Sequence, residues 1–202
     1  SNHIKLWSIL AKSKDYPSAM FVLENTAVVI RQDVNREFIK NITDTFDAVS
    51  EQKNIAYTMG ISTERKGYKS VAKLLSEAEA ARKTAASENK SFEFYSEIGV
   101  NKILLGVKDK TVLKEFAAKQ LDEIIAYDDE YKTDYAKLLY EYLVRDGSVI
   151  AVADNFGIHR NTVNTKIKNI KSIFNIELTG ERKAELLLAF KIEKLLNENG
   201  GI

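Results

Sequence analysis

The chain has 202 residues, 45% hydrophobic and 29% charged, with 30 Lys and Arg against 29 Asp and Glu for a net charge of +1. These proportions fit a globular protein of one or two domains with enough chain to bury a core; they exclude a uniformly basic nucleic-acid coat and leave room for a local basic patch. With no cysteine, disulfides, thiolate zinc sites and a cysteine nucleophile are excluded, and a cytoplasmic location is expected.

No apolar run is long enough to span a bilayer and no signal-peptide pattern opens the chain, so no membrane partner is expected. Ser1 and Asn2 read as an expression remnant, and the chain as a fragment of a longer protein.

In chain order, residues 4–14 read as a short helix with Ile4, Trp7, Leu10 and Ala11 on one face. AMFVLENTAVVIRQ follows, two apolar β-branched runs around Glu24 and Asn25, and reads as a β-hairpin. Residues 35–51 return to helical spacing through Phe38, Ile42, Phe46 and Val49. NIAYTMGIS reads as a strand, residues 68–88 as an alanine-rich helix, and FEFY as a short strand. This alternation predicts an α/β sandwich. Beyond Ile98 the pattern turns helical: residues 113–125, then 134–143 with Leu138, Leu139, Tyr142 and Leu143 as the apolar side, two helices between 149 and 174, and a last one over 181–197. The charge run YDDEYK, residues 127–132, interrupts the apolar pattern and marks the expected domain boundary.

Residues 157–174, GIHRNTVNTKIKNIKSIF, hold four basic residues and no acidic one. The preceding VIAVADNF places Val149, Val152, Ala153 and Phe156 at core positions. A helix-turn-helix needs a small residue where its helices cross, here Ala153, and a turn residue that tolerates positive φ, here Gly157. The second helix carries Val163, Ile167, Ile170 and Phe174 within about a quarter of its circumference. Asn161, Asn164, Thr165 and Lys168 lie opposite, with side chains suited to base edges, and Arg160, Lys166 and Lys171 flank them, suited to phosphates. The plain alternative is an amphipathic helix with a solvated polar face. The turn glycine, crossing alanine, missing acids and basic rim occurring together favour DNA.

Other candidates carry less. His3 and His159 lack acidic or cysteine neighbours at ligand spacing, so no metal is expected. The DDE of residues 128–130 reads as a solvated linker run. Tyr135, Tyr140, Tyr142 and Trp7 read as helix-packing residues. Ser148 reads as a helix N-cap, with no histidine base placed to make it a nucleophile. GISTERKG, residues 60–67, reads as a surface loop; an anion site at Arg65 or Lys66 is the alternative.

The run LLYEYLVRDGSVIAVADNFGIHRNTVNTKIKNIKSIFNIEL, followed by ERKAELLLAFKI, resembles the C-terminal helix-turn-helix domain of PucR/CdaR-type bacterial transcriptional regulators. IHRNTV is its most specific piece. The pattern departs at residues 164–166, where an aromatic residue and an arginine pair are expected, and this leaves base preference open. Upstream, AYTMGIS and LLSEAEAARKTAASENKSFEFY resemble the second half of a GGDEF-type nucleotidyl cyclase domain, which this family carries in degenerate form. YSEIGVNKILLGVKD and LKEFAAKQLDEIIAYD resemble its connector.

The resemblance implies three parts: a partial, degenerate GGDEF-like α/β sandwich (residues 1–97), a helical connector (98–131) and an all-α helix-turn-helix domain (132–202). It implies a sequence-specific regulator without its upstream sensor, binding double-stranded operator DNA as a homodimer. The DNA-contacting residues would be His159, Arg160, Asn161, Thr162, Asn164, Thr165, Lys166, Lys168 and Lys171. The glycine-rich signature and paired carboxylates that a cyclase needs for substrate and Mg²⁺ are missing from the hairpin, so neither enzymatic activity nor a cofactor is expected. The alternative is a nucleotide-binding sensor or cyclase-like module with a helical docking domain.

Overall fold

The structure, a computed structural model, describes residues 18–23, 26–31, 34–53, 57–65 and 70–197. The helix expected over residues 4–14 with its Trp7, the hairpin turn at Glu24 and Asn25, and His3, Lys66 and Gly67 lie outside the described residues. The chain divides into two compact units, residues 1–57 and 58–202.

In the first unit, strands β1 (Ser18–Leu23) and β2 (Thr26–Arg31) pair antiparallel, from Ser18 opposite Arg31 to Leu23 opposite Thr26. That register is the hairpin implied by the two apolar runs. Helix α1 (Arg36–Lys53) begins where the Asn35 side chain accepts the Phe38 N–H at 2.8 Å, satisfying one of the donors a helix start leaves open. Ile39, Thr43 and Phe46, at helical spacing, are its buried stripe. Phe46 meets the Tyr57 ring edge-on at 5.3 Å.

The second unit opens with a β-α-β segment: β3 (Met59–Ile61), helix α2 (Val71–Ser87) and β4 (Phe92–Phe94), the strands parallel with Met59 opposite Phe92. The alanine-rich helix lies directly on β3. A Cβ at Gly60 would fall 1.9 Å from the Ala78 carbonyl oxygen and 2.3 Å from the Arg82 amide nitrogen, so only glycine permits this approach. Among the described residues the strands form two separate two-stranded sheets, not the sandwich expected from their alternation. Three-residue strands offer too few ladder bonds to carry a broad sheet, and most of the remaining burial in this unit is helical.

Helices α3 (Asn101–Gly106), α4 (Lys110–Tyr131), α5 (Tyr135–Val144), α6 (Val149–Phe156), α7 (Arg160–Ile173) and α8 (Gly180–Leu196) complete the unit. With eight helices among the described residues, the fold is mostly helical. Leu113, Ala117, Leu121 and Ile124 of α4 share one continuous core with Leu138 and Leu139 of α5, Val163, Ile167 and Ile170 of α7 and Leu186, Ala189 and Phe190 of α8. Helix α4 packs most extensively on α8.

Helix α4 continues past residue 125, the end expected from its apolar spacing, and ends where Lys132 turns left-handed at φ 53°. The YDDEY run is therefore helical. Tyr127 stacks on Tyr135 at 5.7 Å and takes Phe174 edge-on at 5.4 Å, which supplies an apolar anchor for this charged turn. The reading of residues 128–130 as a solvated linker is corrected at Asp128. Its carboxylate accepts the backbone N–H groups of Tyr135 and Ala136, both at 2.8 Å, and the Thr133 hydroxyl. Asp128 thus caps α5 from the preceding helix.

Candidate nucleic-acid interface

Helices α6 and α7 form a helix-turn-helix whose geometry follows from four local choices. Ser148 starts α6, its hydroxyl accepting the Ala151 N–H at 3.3 Å. Val152 is fully buried and Ala153 is 6% exposed, so the short alanine side chain sits in the core that α6 shares with α7. Gly157 ends the helix at φ 63°. A Cβ there would meet nothing within 4 Å, so glycine is demanded by backbone conformation and not by crowding. The Ile158 N–H reaches back to the Ala153 carbonyl at 3.1 Å and the Gly157 N–H to Asp154 at 3.4 Å, which closes the turn as a Schellman motif.

His159 caps α7. Its Nδ1 accepts the Asn161 N–H at 3.2 Å, which places the ring proton on Nε2, at the edge facing away from the helix start. Val163, Ile167 and Ile170 are buried and Phe174 half-buried, the stripe expected from their spacing.

His159, Arg160, Asn161, Thr162, Asn164, Thr165, Lys168 and Lys171 are all exposed. The structure brings Asn161, Thr165 and Lys168 together on the face opposite the core, with Asn164 and Lys171 along one flank, by the 100° step of the helix. Arg160, Lys168 and Lys171 have no paired carboxylate among the described residues. The Thr165 hydroxyl donates to the Asn161 carbonyl at 2.9 Å. Lys168, Lys171 and Ser172 line an open groove with Asn175 and Thr179, between the end of α7 and the start of α8. Ser172 lies in the middle of the exposed face and was not singled out from sequence. Its position, four residues beyond Lys168 and seven beyond Thr165, was the signal that marked it.

Lys166 differs from the other expected contacts. It is half-buried on the other flank, and its ammonium pairs with the Asp134 carboxylate at the start of α5. One turn on, the Asn169 amide donates to the Tyr135 hydroxyl at 3.4 Å.

Elsewhere, Arg65 of the loop after β3 is committed to Glu77 at 2.9 Å. The Glu77 carboxylate also accepts the Thr63 N–H at 3.1 Å and the Thr63 hydroxyl. Burial pushes this carboxyl up, but the Thr63 and Arg65 hydrogen bonds outweigh it and hold it below the usual carboxylate range. Among the described residues no cluster of His, Cys, Asp and Glu has the grouping of a metal site, and no helix is long and apolar enough to cross a membrane.

Residues 135–192 match the family model described as the PucR C-terminal helix-turn-helix domain. The match covers α5 to α7 and most of α8. Over 127 residues the chain is 31% identical to the proline-responsive transcriptional activator PutR of Bacillus subtilis (strain 168), covering 62% of this chain and 31% of that protein. The chain spans about a third of the length of this curated relative. No solved structure matches it.

Proposed function

We propose that the chain is the DNA-binding part of a PucR-type transcriptional regulator and that α7 is its recognition helix. The observation that carries this reading is the outer face of α7, where exposed asparagines stand beside cations that pair with no carboxylate among the described residues, within a helix-turn-helix. Asn161 and Asn164 suit bidentate pairing with adenine, the Thr165 methyl suits the thymine methyl, and Lys168 suits guanine or phosphate. Arg160, Lys171 and the Nε2–H of His159 suit phosphates, with Thr162 beside them at the first turn. One helix reads few bases, so the operator is read by a homodimer on two half-sites about 34 Å apart. A cytoplasmic protein whose upstream sensor lies outside this sequence fits the similarity to a transcriptional activator.

The β3–α2–β4 segment is read as the remnant of a GGDEF-like domain that serves as scaffold, with residues 98–131 as connector. Its loop arginine is held by Glu77, which supports a structural role and not phosphoryl chemistry. GTP turnover with Mg²⁺ above a blank would overturn that part.

The test of the recognition face is duplex binding followed by fluorescence anisotropy over a range of salt. Lys168→Ala/Lys171→Ala weakens binding to every duplex and lowers the slope of log Kobs against log salt by about 1.8, for two lost phosphate contacts. Asn161→Ala and Asn164→Ala keep the slope and relax base preference. A double lysine variant that binds with the wild-type slope would remove α7 from the interface.

A further inference from the structure

We propose that Asp134 and Tyr135 are positioning residues for α7, and that Lys166 works in this lock and does not contact DNA. The inference rests on the reading of α7 as a recognition helix and adds to it what fixes the angle of that helix.

Two hydrogen-bonded contacts, one turn apart, join the same flank of α7 to the same end of α5: Lys166 to Asp134 and Asn169 to Tyr135. At 100° per residue Lys166 lies about 160° around the helix from Lys168 and Asn169 about 100°, so the Lys166 side chain is turned from the proposed DNA face. The Lys166 side chain is 29% exposed, whereas Arg160, Lys168 and Lys171 are all exposed residues.

The α5 end is itself fixed. Asp128 accepts the N–H groups of Tyr135 and Ala136, and the Tyr135 ring stacks on Tyr127. A helix read base by base must be held in rotation as well as in place, because a misplaced turn moves every side chain off its base edge. The apolar stripe of Val163, Ile167 and Ile170 resists translation off the core. Two polar contacts on one flank resist rolling about that stripe.

The discriminating variant is Lys166→Met/Asp134→Asn, which removes both charges and leaves net charge unchanged. Its salt slope on duplex DNA stays at the wild-type value, while that of Lys168→Met falls by about 0.9. The ratio of specific to non-specific affinity falls about two- to fivefold, the range expected for a half-exposed ion pair. Amide hydrogen exchange across α7 rises in Lys166→Met and in Asp134→Asn, and the double variant adds nothing to the larger single effect. A slope that falls by about 0.9 in the double variant would make Lys166 a phosphate ligand and overturn the proposal. Unchanged exchange in α7 would overturn it as well. If the wild-type chain binds no duplex, the recognition reading fails, and the exchange arm still decides whether the lock exists.

Discussion

At the scale of single residues, the turn between α6 and α7 concentrates two requirements in adjacent positions. Gly157 holds φ at 63° in open space, so Gly157→Ala carries only the left-handed backbone penalty of about 1–2 kcal/mol. Gly157→Asn is milder, because asparagine tolerates that region better. Chemical denaturation of the two variants checks the order, and an alanine variant as stable as wild type would contradict it. His159 caps the helix through Nδ1, and in the proposed function its Nε2–H is the donor offered to a phosphate. His159→Ala loses the cap at a cost of about 1 kcal/mol, and His159→Ser restores the stability but not the Nε2–H donor. Recovery of both stability and DNA affinity in the serine variant would show that the ring contributes nothing beyond its cap. Gly157 and Ser148 were readable from sequence because caps and turns are local, written within three or four residues. Lys166 was not readable in the same way. Its partner Asp134 lies 32 residues away, and helical spacing places a side chain on a flank without saying what faces it.

At the scale of elements, Asp128 and Glu77 each do a task that a local pattern conceals. Asp128 looks like one acid in a charged run, yet it caps α5 across a turn. Asp128→Ala strips a charged acceptor from two backbone donors and is expected to destabilise by about 1.5–3 kcal/mol, with Asp128→Asn intermediate. Thermal unfolding reads this directly, and a loss no larger than that of Asp129→Ala would contradict the capping role. Glu77 is 2% exposed and its carboxyl is held below the ordinary value of 4.5. A depressed carboxyl contributes stability that is fully present above its unfolded value and is lost as pH falls through the folded one. Glu77→Gln therefore flattens the acid limb of the stability profile below about pH 4.5 relative to wild type, with Arg65 left unpaired. The helices were legible because α7 and α5 repeat apolar residues at 3.6-residue spacing. The extent of the strands was not. Residues 54–62 read as one strand, but of the described residues 57–62 only Met59–Ile61 pair, since pairing is set by the partner strand and by the close approach at Gly60.

At the scale of the whole molecule, the near-zero net charge conceals a division that matters for binding. The acids lie in segments such as residues 127–131, and the outer face of α7 keeps cations alone. On the proposed reading, a neutral protein with such a face binds non-specific DNA weakly at physiological salt and takes its specificity from base contacts doubled by symmetry. The helix-turn-helix could be read from sequence because its turn glycine, crossing alanine and apolar stripe fall within about two dozen consecutive residues. Dimer geometry has no such local record, because it depends on a surface meeting its own copy. Selection from a random pool of duplex DNA at moderate salt, with this chain as the binder, tests the central claim most directly. The account predicts an enriched palindrome whose half-sites are about 34 Å apart or a multiple of that distance, lost when Asn161 and Asn164 are replaced by alanine. Recovery of no consensus, with binding that vanishes at physiological salt, would contradict it and leave α7 an ordinary basic helix.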